Sequence, residues 1–320
     1  MRTDFKSDKA TLVTALYNYP PNHILGGRGW GFDHYKSPLL NILKLDCPII
    51  FYSDKTMIEQ LESFASNFAS SEYKIIEFDL MEASFSEKVI ALKKSKHPYD
   101  ESNELKQPHS IPYTALDRNH HICLQKMSWL MSAANLNIFE TDFFYWIDAG
   151  IAHHGIFPET FGGMERLMSC EYKKNKYYPE NPDSIFQPTF IKNLNKICKK
   201  FFCMHHQEYP VSSSINKLLD CSVGKYIVAG MFGGSKSSIK PIHDIFYKIL
   251  DKVLDNNILC LEEPILSAVA GLHGDLLQTY SFTHWYHDIK GDPCYGNLAN
   301  NEKCFYKIFK KIKEEKFDEL

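Results

Sequence analysis

The sequence predicts an α/β fold, a mixed, mostly parallel central sheet flanked by helices. Three observations predict it. The N-terminal third alternates short β-branched or aromatic runs with helix-period stretches, the order that builds a parallel sheet. Phe143-Phe144-Tyr145-Trp146-Ile147 is apolar without interruption, as a strand covered on both faces must be, and it ends abruptly in Asp148-Ala149-Gly150. Tyr226-Ile227-Val228-Ala229-Gly230-Met231-Phe232-Gly233-Gly234-Ser235 reads as another strand, broken by glycines that mark close backbone approach or a bulge.

In chain order, Thr11-Leu12-Val13-Thr14-Ala15-Leu16-Tyr17 is the first strand. It runs into a polar, glycine-rich loop over 18–34 that carries Arg28. That loop is either a surface connection or a segment that wraps a ligand and offers a guanidinium to phosphate. Ser37 and Pro38 signal the start of a helix that reaches Leu45. A second strand covers 47–52. Asp54 caps a helix to about 69, with Met57, Ile58, Leu61, Phe64 and Phe68 on one face. A third strand spans 73–78, and a short helix spans about 84–94. The polar stretch 95–112 reads as a loop.

A long helix over about 115–135 carries Arg118, His120, His121 and Lys126. Most of these are expected on a solvated face, with Arg118 and Lys126 the two that a site could use. His153 and His154, just beyond Asp148, line a pocket or lie on the surface. Residues 161–220 read as an insertion. Helices are expected over 238–254 and from Leu261-Glu262-Glu263-Pro264 onward, where Pro264 suits a first turn and the acids suit its positive end. A late strand covers 276–282. The final helix, about 302–316, sets Phe305, Ile308, Phe309 and Ile312 on one face between lysines. It docks on the domain or touches an anionic membrane surface. The expected division is one domain over 1–300, with the insertion at about 161–220, followed by the helix within 301–320.

A chain of 320 residues can bury a large core. Its net charge of −3 provides no basic field, which argues against a nucleic-acid partner. Met1-Arg2-Thr3-Asp4-Phe5-Lys6 has no apolar signal-peptide region, and no window approaches the length of a membrane span. The nine cysteines form no Cys-x-x-Cys pair, so a reduced, cytoplasmic chain is the expectation. Cys198, Cys203, His205 and His206 are zinc-capable residue types without finger or ribbon spacing.

Open α/β sheets bind ligands beyond the carboxyl ends of their strands, so Asp148 stands where a ligand would, unless it only closes a turn. Three segments can converge there: Asp148, the 230–235 glycine turn with Glu262 and Glu263 after it, and 284–290. A nucleotide-sugar's diphosphate needs charge neutralisation as it leaves. A divalent ion on a carboxylate and an imidazole, with a Lys or Arg, provides it. A Glu near the sugar orients hydroxyls or acts as base. No P-loop, Rossmann glycine fingerprint or Gly-x-Ser-x-Gly elbow is present, which weakens kinase, dehydrogenase and esterase readings. A metal-dependent phosphohydrolase needs more clustered Asp and His than the sequence offers.

Tyr145-Trp146-Ile147-Asp148-Ala149-Gly150-Ile151, with Ala229-Gly230-Met231-Phe232-Gly233-Gly234 and the Glu262-Glu263 segment, resembles the HtrL/YibB-like family of bacterial surface-polysaccharide biosynthesis proteins. That family is similar to glycosyltransferases of the GT-A type. The resemblance implies a GT-A-like sheet and transfer of a sugar from a nucleotide-sugar donor to a glycan or lipid-linked acceptor. The alternative it leaves is an inactive, nucleotide-binding accessory protein of the same pathway. It implies that Asp148 matches the first acid of an Asp-x-Asp metal motif, with Gly150 in place of the second. His284 would be the second ligand of Mn²⁺ or Mg²⁺. Lys290, six positions later, and Arg28 would face the phosphates. Thr14, Leu16 and Asn18 would hold base and ribose, Gly230 and Gly233 would lie against the sugar, and Glu263 or Glu262 would be the base of an inverting reaction. A cytoplasmic protein, with peripheral contact to the inner membrane face through its last helix, completes that picture.

Overall fold

The computed structural model describes residues 10–17, 32–43, 47–94, 99–100, 119–150, 202–207, 214–221 and 226–282. The strands are β1 (Ala10–Leu16), β2 (Ile49–Ser53), β3 (Tyr73–Glu77), β4 (Tyr99–Asp100), β5 (Phe143–Ile147), β6 (Phe202–Gln207), β7 (Tyr226–Ser235), β8 (Ile258–Leu259) and β9 (Leu277–Phe282). The α-helices are α1 (Phe32–Leu43), α2 (Lys55–Phe68), α3 (Ser86–Lys94), α4 (Asn119–Leu136), α5 (Ser214–Leu219), α6 (Lys236–Asp255) and α7 (Glu262–Leu272).

Seven strands form one sheet in the order β3-β2-β1-β5-β7-β6-β9, and β4 pairs with β8 apart from it. β1, β2, β3 and β5 run parallel, β7 is antiparallel to both β5 and β6, and β6 is parallel to β9. One reversed strand in an otherwise parallel sheet is the mixed, mostly parallel architecture that the sequence predicts.

Strand alternation divides the core between the two faces. Val13, Ala15 and Tyr17 of the first strand segment join Ile50, Tyr52, Phe144, Trp146 and Phe232 on one face, under α3, α4, α6 and α7. Leu12, Leu16, Ile49, Phe51, Phe143, Tyr145 and Ile147 face the other way, onto α1 and α2. The first face holds a run of aromatic contacts. Trp129 of α4 stacks on Tyr17, Tyr52 and Trp146 at 5.6, 5.5 and 5.9 Å between ring centroids. α4 thereby lies flat beneath the ends of β1 and β5.

Four departures from expectation have physical reasons. α1 begins at Phe32, with Pro38 inside it rather than at its start. Asp33 in its first turn, paired with Lys36 at 2.6 Å, supplies a start that the Ser-Pro signal obscured. His120 and His121 are buried rather than solvated, because α4 is covered both by the sheet and by other helices. Ala65, rather than Phe68, completes the buried row of α2 with Met57 and Leu61, and Phe68 is 46% exposed. β6 falls within the stretch read as an insertion, yet it is an interior strand between β7 and β9. Its Cys-Met-His-His content hid the apolar run. Residues 161–201 and the helix expected over 302–316 lie outside the described residues.

No helix among the described residues is long and apolar enough to cross a membrane.

Candidate functional site

The sheet order reverses beside β1. The chain goes from β1 outward to β2 and β3, then returns to lay β5 on the other side of β1. The crevice beyond the carboxyl ends of β1 and β5 is therefore the topological switch point, where such sheets bind ligands. Asp148 is the first residue past β5 and stands at this crevice.

Its side chain shares a face with Trp146, two positions earlier, and the Trp146 Nε1–H donates to Asp148 Oδ1 at 2.7 Å. From α4 below, the Lys126 ammonium comes within 2.7 Å of the same Oδ1 and within 2.6 Å of Glu262 Oε1. It also donates to the Ala229 carbonyl at 3.4 Å and lies 5.6 Å from the centre of the Trp146 ring. All three ammonium donors are engaged. The Lys126 and Glu262 side chains are 7% and 5% exposed, whereas Asp148 keeps 37% and presents the rest of its carboxylate to the crevice.

A defect in the sheet admits these groups. On β6, Met204 pairs with Phe232 of β7 and the next residue, His205, pairs with Val228, so β6 skips Ala229, Gly230 and Met231. The freed strand groups find partners elsewhere. Glu263 Oε1 accepts the Ala229 N–H at 3.2 Å and Lys126 Nζ donates to the Ala229 carbonyl at 3.4 Å, while on the other edge of β7 the Gly230 carbonyl accepts the Asp148 N–H at 2.9 Å and extends the pairing with β5. α7 is fastened to the same strand by Ser267, whose Oγ accepts the Ile227 N–H at 2.8 Å and donates to the Glu263 carbonyl at 2.7 Å.

Burial disfavours the Lys126 ammonium, but Asp148 and Glu262 outweigh it and hold its pKa well above the ordinary lysine value. Burial pushes the Asp148 carboxyl up, against the pull of Lys126 and with help from Glu262. The Cys123 thiol, beside Glu262, is pushed well up by burial and then by that carboxylate, which keeps it protonated. Tyr35 of α1 approaches from the other face. Burial first, then the Asp148 charge, raises its phenol.

Asp148, Glu262 and Glu263 are thus brought together around β7, with Gly230 beside them. Gly233 is different. It pairs with Tyr145 inside the sheet, and a Cβ there would overlap the Phe144 carbonyl oxygen and come within 2.8 Å of the Tyr145 ring. Its absent side chain makes room for β5 rather than for a ligand. Thr14 is fully buried in β1, and Leu16 is 3% exposed in the α1/α2 core. The Leu16 carbonyl already accepts from Ser53 Oγ at 2.6 Å. Neither side chain is presented to the crevice. Asn18, Arg28, His284 and Lys290 lie outside the described residues.

Lys126, Trp146 and Tyr35 are the participants that role assignment from sequence left out or left open. Trp146 was legible from strand alternation, whereas Lys126 is a lone charge among Ile122, Leu124, Met127, Trp129 and Leu130 on a helix whose apolar residues lie all round it, so its face could not be read. Tyr35 carried no signal.

The described residues do not fit a divalent ion held between Asp148 and Glu262. An ammonium fills that place, Oδ1 of Asp148 already accepts two donors, and no group of three His, Cys, Asp or Glu able to hold a metal occurs among the described residues.

No protein-family model and no curated protein matches the chain. Among solved structures it is similar to mouse xyloside xylosyltransferase 1 in its apo form, at 11% identity and a TM-score of 0.44 over 93% of each chain. It is also similar to core-mannan synthase A from Aspergillus fumigatus in its Mn/GDP form, at 11% identity and a TM-score of 0.41 over 95% of this chain and 85% of that one. A third likeness is to 4-diphosphocytidyl-2C-methyl-D-erythritol synthase from Anaerococcus prevotii, at 10% identity and a TM-score of 0.39 over 91% and 94%. Likenesses of this degree decide neither fold nor function, so the site rests on its own residues.

Proposed function

We propose that the protein is a glycosyltransferase that moves a sugar from a nucleotide-sugar donor to a glycan or lipid-linked acceptor, in bacterial surface-glycan assembly. The observation that carries this reading is the half-exposed Asp148 carboxylate in the switch-point crevice, backed by Lys126 and flanked by Glu263. Three carboxylates against one ammonium repel phosphate and attract hydroxyl donors. This end of the crevice therefore suits the sugar rather than the diphosphate. The outward oxygen of Asp148 accepts from a sugar hydroxyl. The diphosphate faces Arg28 and Lys290, and the base and ribose lie along the segment that ends at Asn18.

The acceptor hydroxyl oxygen bonds to the anomeric carbon as the carbon–oxygen bond to the diphosphate breaks. The nucleoside diphosphate leaves with that electron pair. Glu263, at the mouth of α7, takes the hydroxyl proton if the reaction inverts configuration. Glu262 is sealed against Lys126 and serves as its counter-ion. The helix over 302–316 would bring the active face to an anionic membrane carrying a lipid-linked acceptor.

A second reading, a nucleotide-binding accessory protein without turnover, is favoured by the engagement of both acids: Glu262 with Lys126, and Glu263 with the Ala229 amide. The test is release of nucleoside diphosphate from a panel of UDP-, GDP- and dTDP-sugars and of CMP from CMP-sugars, with Asp148→Asn as control. Asp148-dependent release from one donor class supports the transferase. Donor binding without release supports the accessory protein.

A further inference from the structure

Two buried or half-buried carboxylates converge on one point in this site, the arrangement that ordinarily gathers a divalent cation. The chain supplies its own cation there. Lys126 Nζ lies 2.7 Å from Asp148 Oδ1 and 2.6 Å from Glu262 Oε1, and its side chain is 7% exposed. We propose that Lys126 is the resident cation of the site, and that its ammonium excludes a divalent ion from the Asp148–Glu262 pair.

The geometry argues this from three directions. A magnesium or manganese ion on Asp148 Oδ1 would sit at about 2.0–2.2 Å from it. That oxygen already takes the Lys126 ammonium and the Trp146 indole N–H, both at 2.7 Å. An ion added there would lie beside a like charge whose Coulomb repulsion is strong away from bulk water. The second carboxylate is also sealed. Glu262 is 4% exposed, with the Cys123 thiol beside its carboxylate rather than open solvent. Finally, the ammonium has no slack. Its third contact is the Ala229 carbonyl, at the point where β6 skips β7, so the bulge, α4 and α7 all hold it in place. Both the Lys126 and the Trp146 contacts fall on Oδ1 of Asp148, whose side chain keeps 37% exposure.

This inference deepens the proposed transferase by stating what neutralises its carboxylates. Its test uses Mn²⁺ with no nucleotide, so its failure leaves the transferase reading standing. The full chain is titrated with Mn²⁺ and free ion is read from its electron paramagnetic resonance signal. Wild type shows no Mn²⁺ binding that Glu262→Gln removes. Lys126→Met binds Mn²⁺ at least about tenfold more tightly, because the competing charge has gone. Adding Asp148→Asn to that variant abolishes the gain. Lys126→Gln, whose amide still donates a hydrogen bond to one of the carboxylates, serves as the second neutral variant and shows the same gain. A wild-type protein that binds Mn²⁺ and loses it in both Asp148→Asn and Glu262→Gln overturns the proposal, whether or not either Lys126 variant folds. So does a folded neutral variant that binds Mn²⁺ no better than wild type.

Discussion

Lys126 Nζ lies 2.6 Å from Glu262 Oε1, with both side chains almost wholly removed from solvent. The pair joins α4 to the first turn of α7, and through Asp148 both helices are joined to the end of β5. Packing alone would tolerate a hydrophobic residue at position 126. The ion triad demands a cation there, and it orients the one carboxylate left facing the crevice.

Removing one member of a buried ion pair strands the others. Lys126→Met should therefore cost about 3–5 kcal/mol of stability, most of it from leaving Glu262 uncompensated. Adding Glu262→Gln to Lys126→Met should recover part of that loss. Urea denaturation of the two variants checks this, and a double variant no more stable than the single one would count against it.

The pH dependence of that loss has a defined sign. Lys126 has its folded pKa raised above the unfolded value, about 10.4 for lysine. Its stabilisation is fully present below the unfolded pKa and fades only as pH rises through the higher folded one. The stability gap between wild type and Lys126→Met should stay flat from neutral pH to about pH 10. A gap that narrows within that window would show an ammonium that the two carboxylates do not hold.

Gly233 and Gly274 make a matched pair. A Cβ at Gly233 comes within 2.7 Å of Tyr145 Cα, and at φ +156° it is strained as well, whereas one at Gly274 meets nothing within 4 Å. Gly233→Ala should cost about 3 kcal/mol or more, and Gly274→Ala should stay within about 0.5 kcal/mol. Melting temperatures of the two variants decide this.

Trp146→Phe keeps a ring against Trp129 and deletes the donor to Asp148. It should weaken binding of a sugar-linked nucleotide more than it weakens binding of the nucleotide alone, by about tenfold, since a hydrogen bond to a charged group is worth about 1.5–3 kcal/mol. Calorimetric titration with the two ligands separates the effects. Equal weakening would place the indole's role in general packing.

Much of this fold was legible because each strand of the seven-stranded sheet but one carries apolar, aromatic or β-branched residues in strand-like runs, uninterrupted in β1, β2 and β5. Phe143 to Ile147 and Thr11 to Leu16 needed nothing beyond their own residues. β6 did not announce itself, because Cys203, His205 and His206 imitate a metal-ligand cluster and the strand is defined by its neighbours β7 and β9. At the site, Asp148 and the two glutamates could be read from their places at element ends. Lys126 could only be left open. Its position on α4 says nothing of which face that helix buries until α6 and the sheet are both in place. The same holds in reverse for Thr14 and Leu16. A resemblance placed them against a nucleotide, and the depth of β1 in the sheet withdraws their side chains from it.

Thermal denaturation of wild type and Asp148→Asn against UDP, GDP, dTDP and CMP, each alone and as its sugar-linked form, shows whether Asp148 holds the sugar of a nucleotide-sugar donor. A ligand that binds only the native state raises the melting temperature by mass action. One nucleotide class should stabilise the wild type, and Asp148→Asn should lose the extra stabilisation given by the sugar while keeping most of that given by the nucleotide. A wild type that no donor stabilises, or an Asp148→Asn variant that responds to every donor as wild type does, would contradict that role for Asp148.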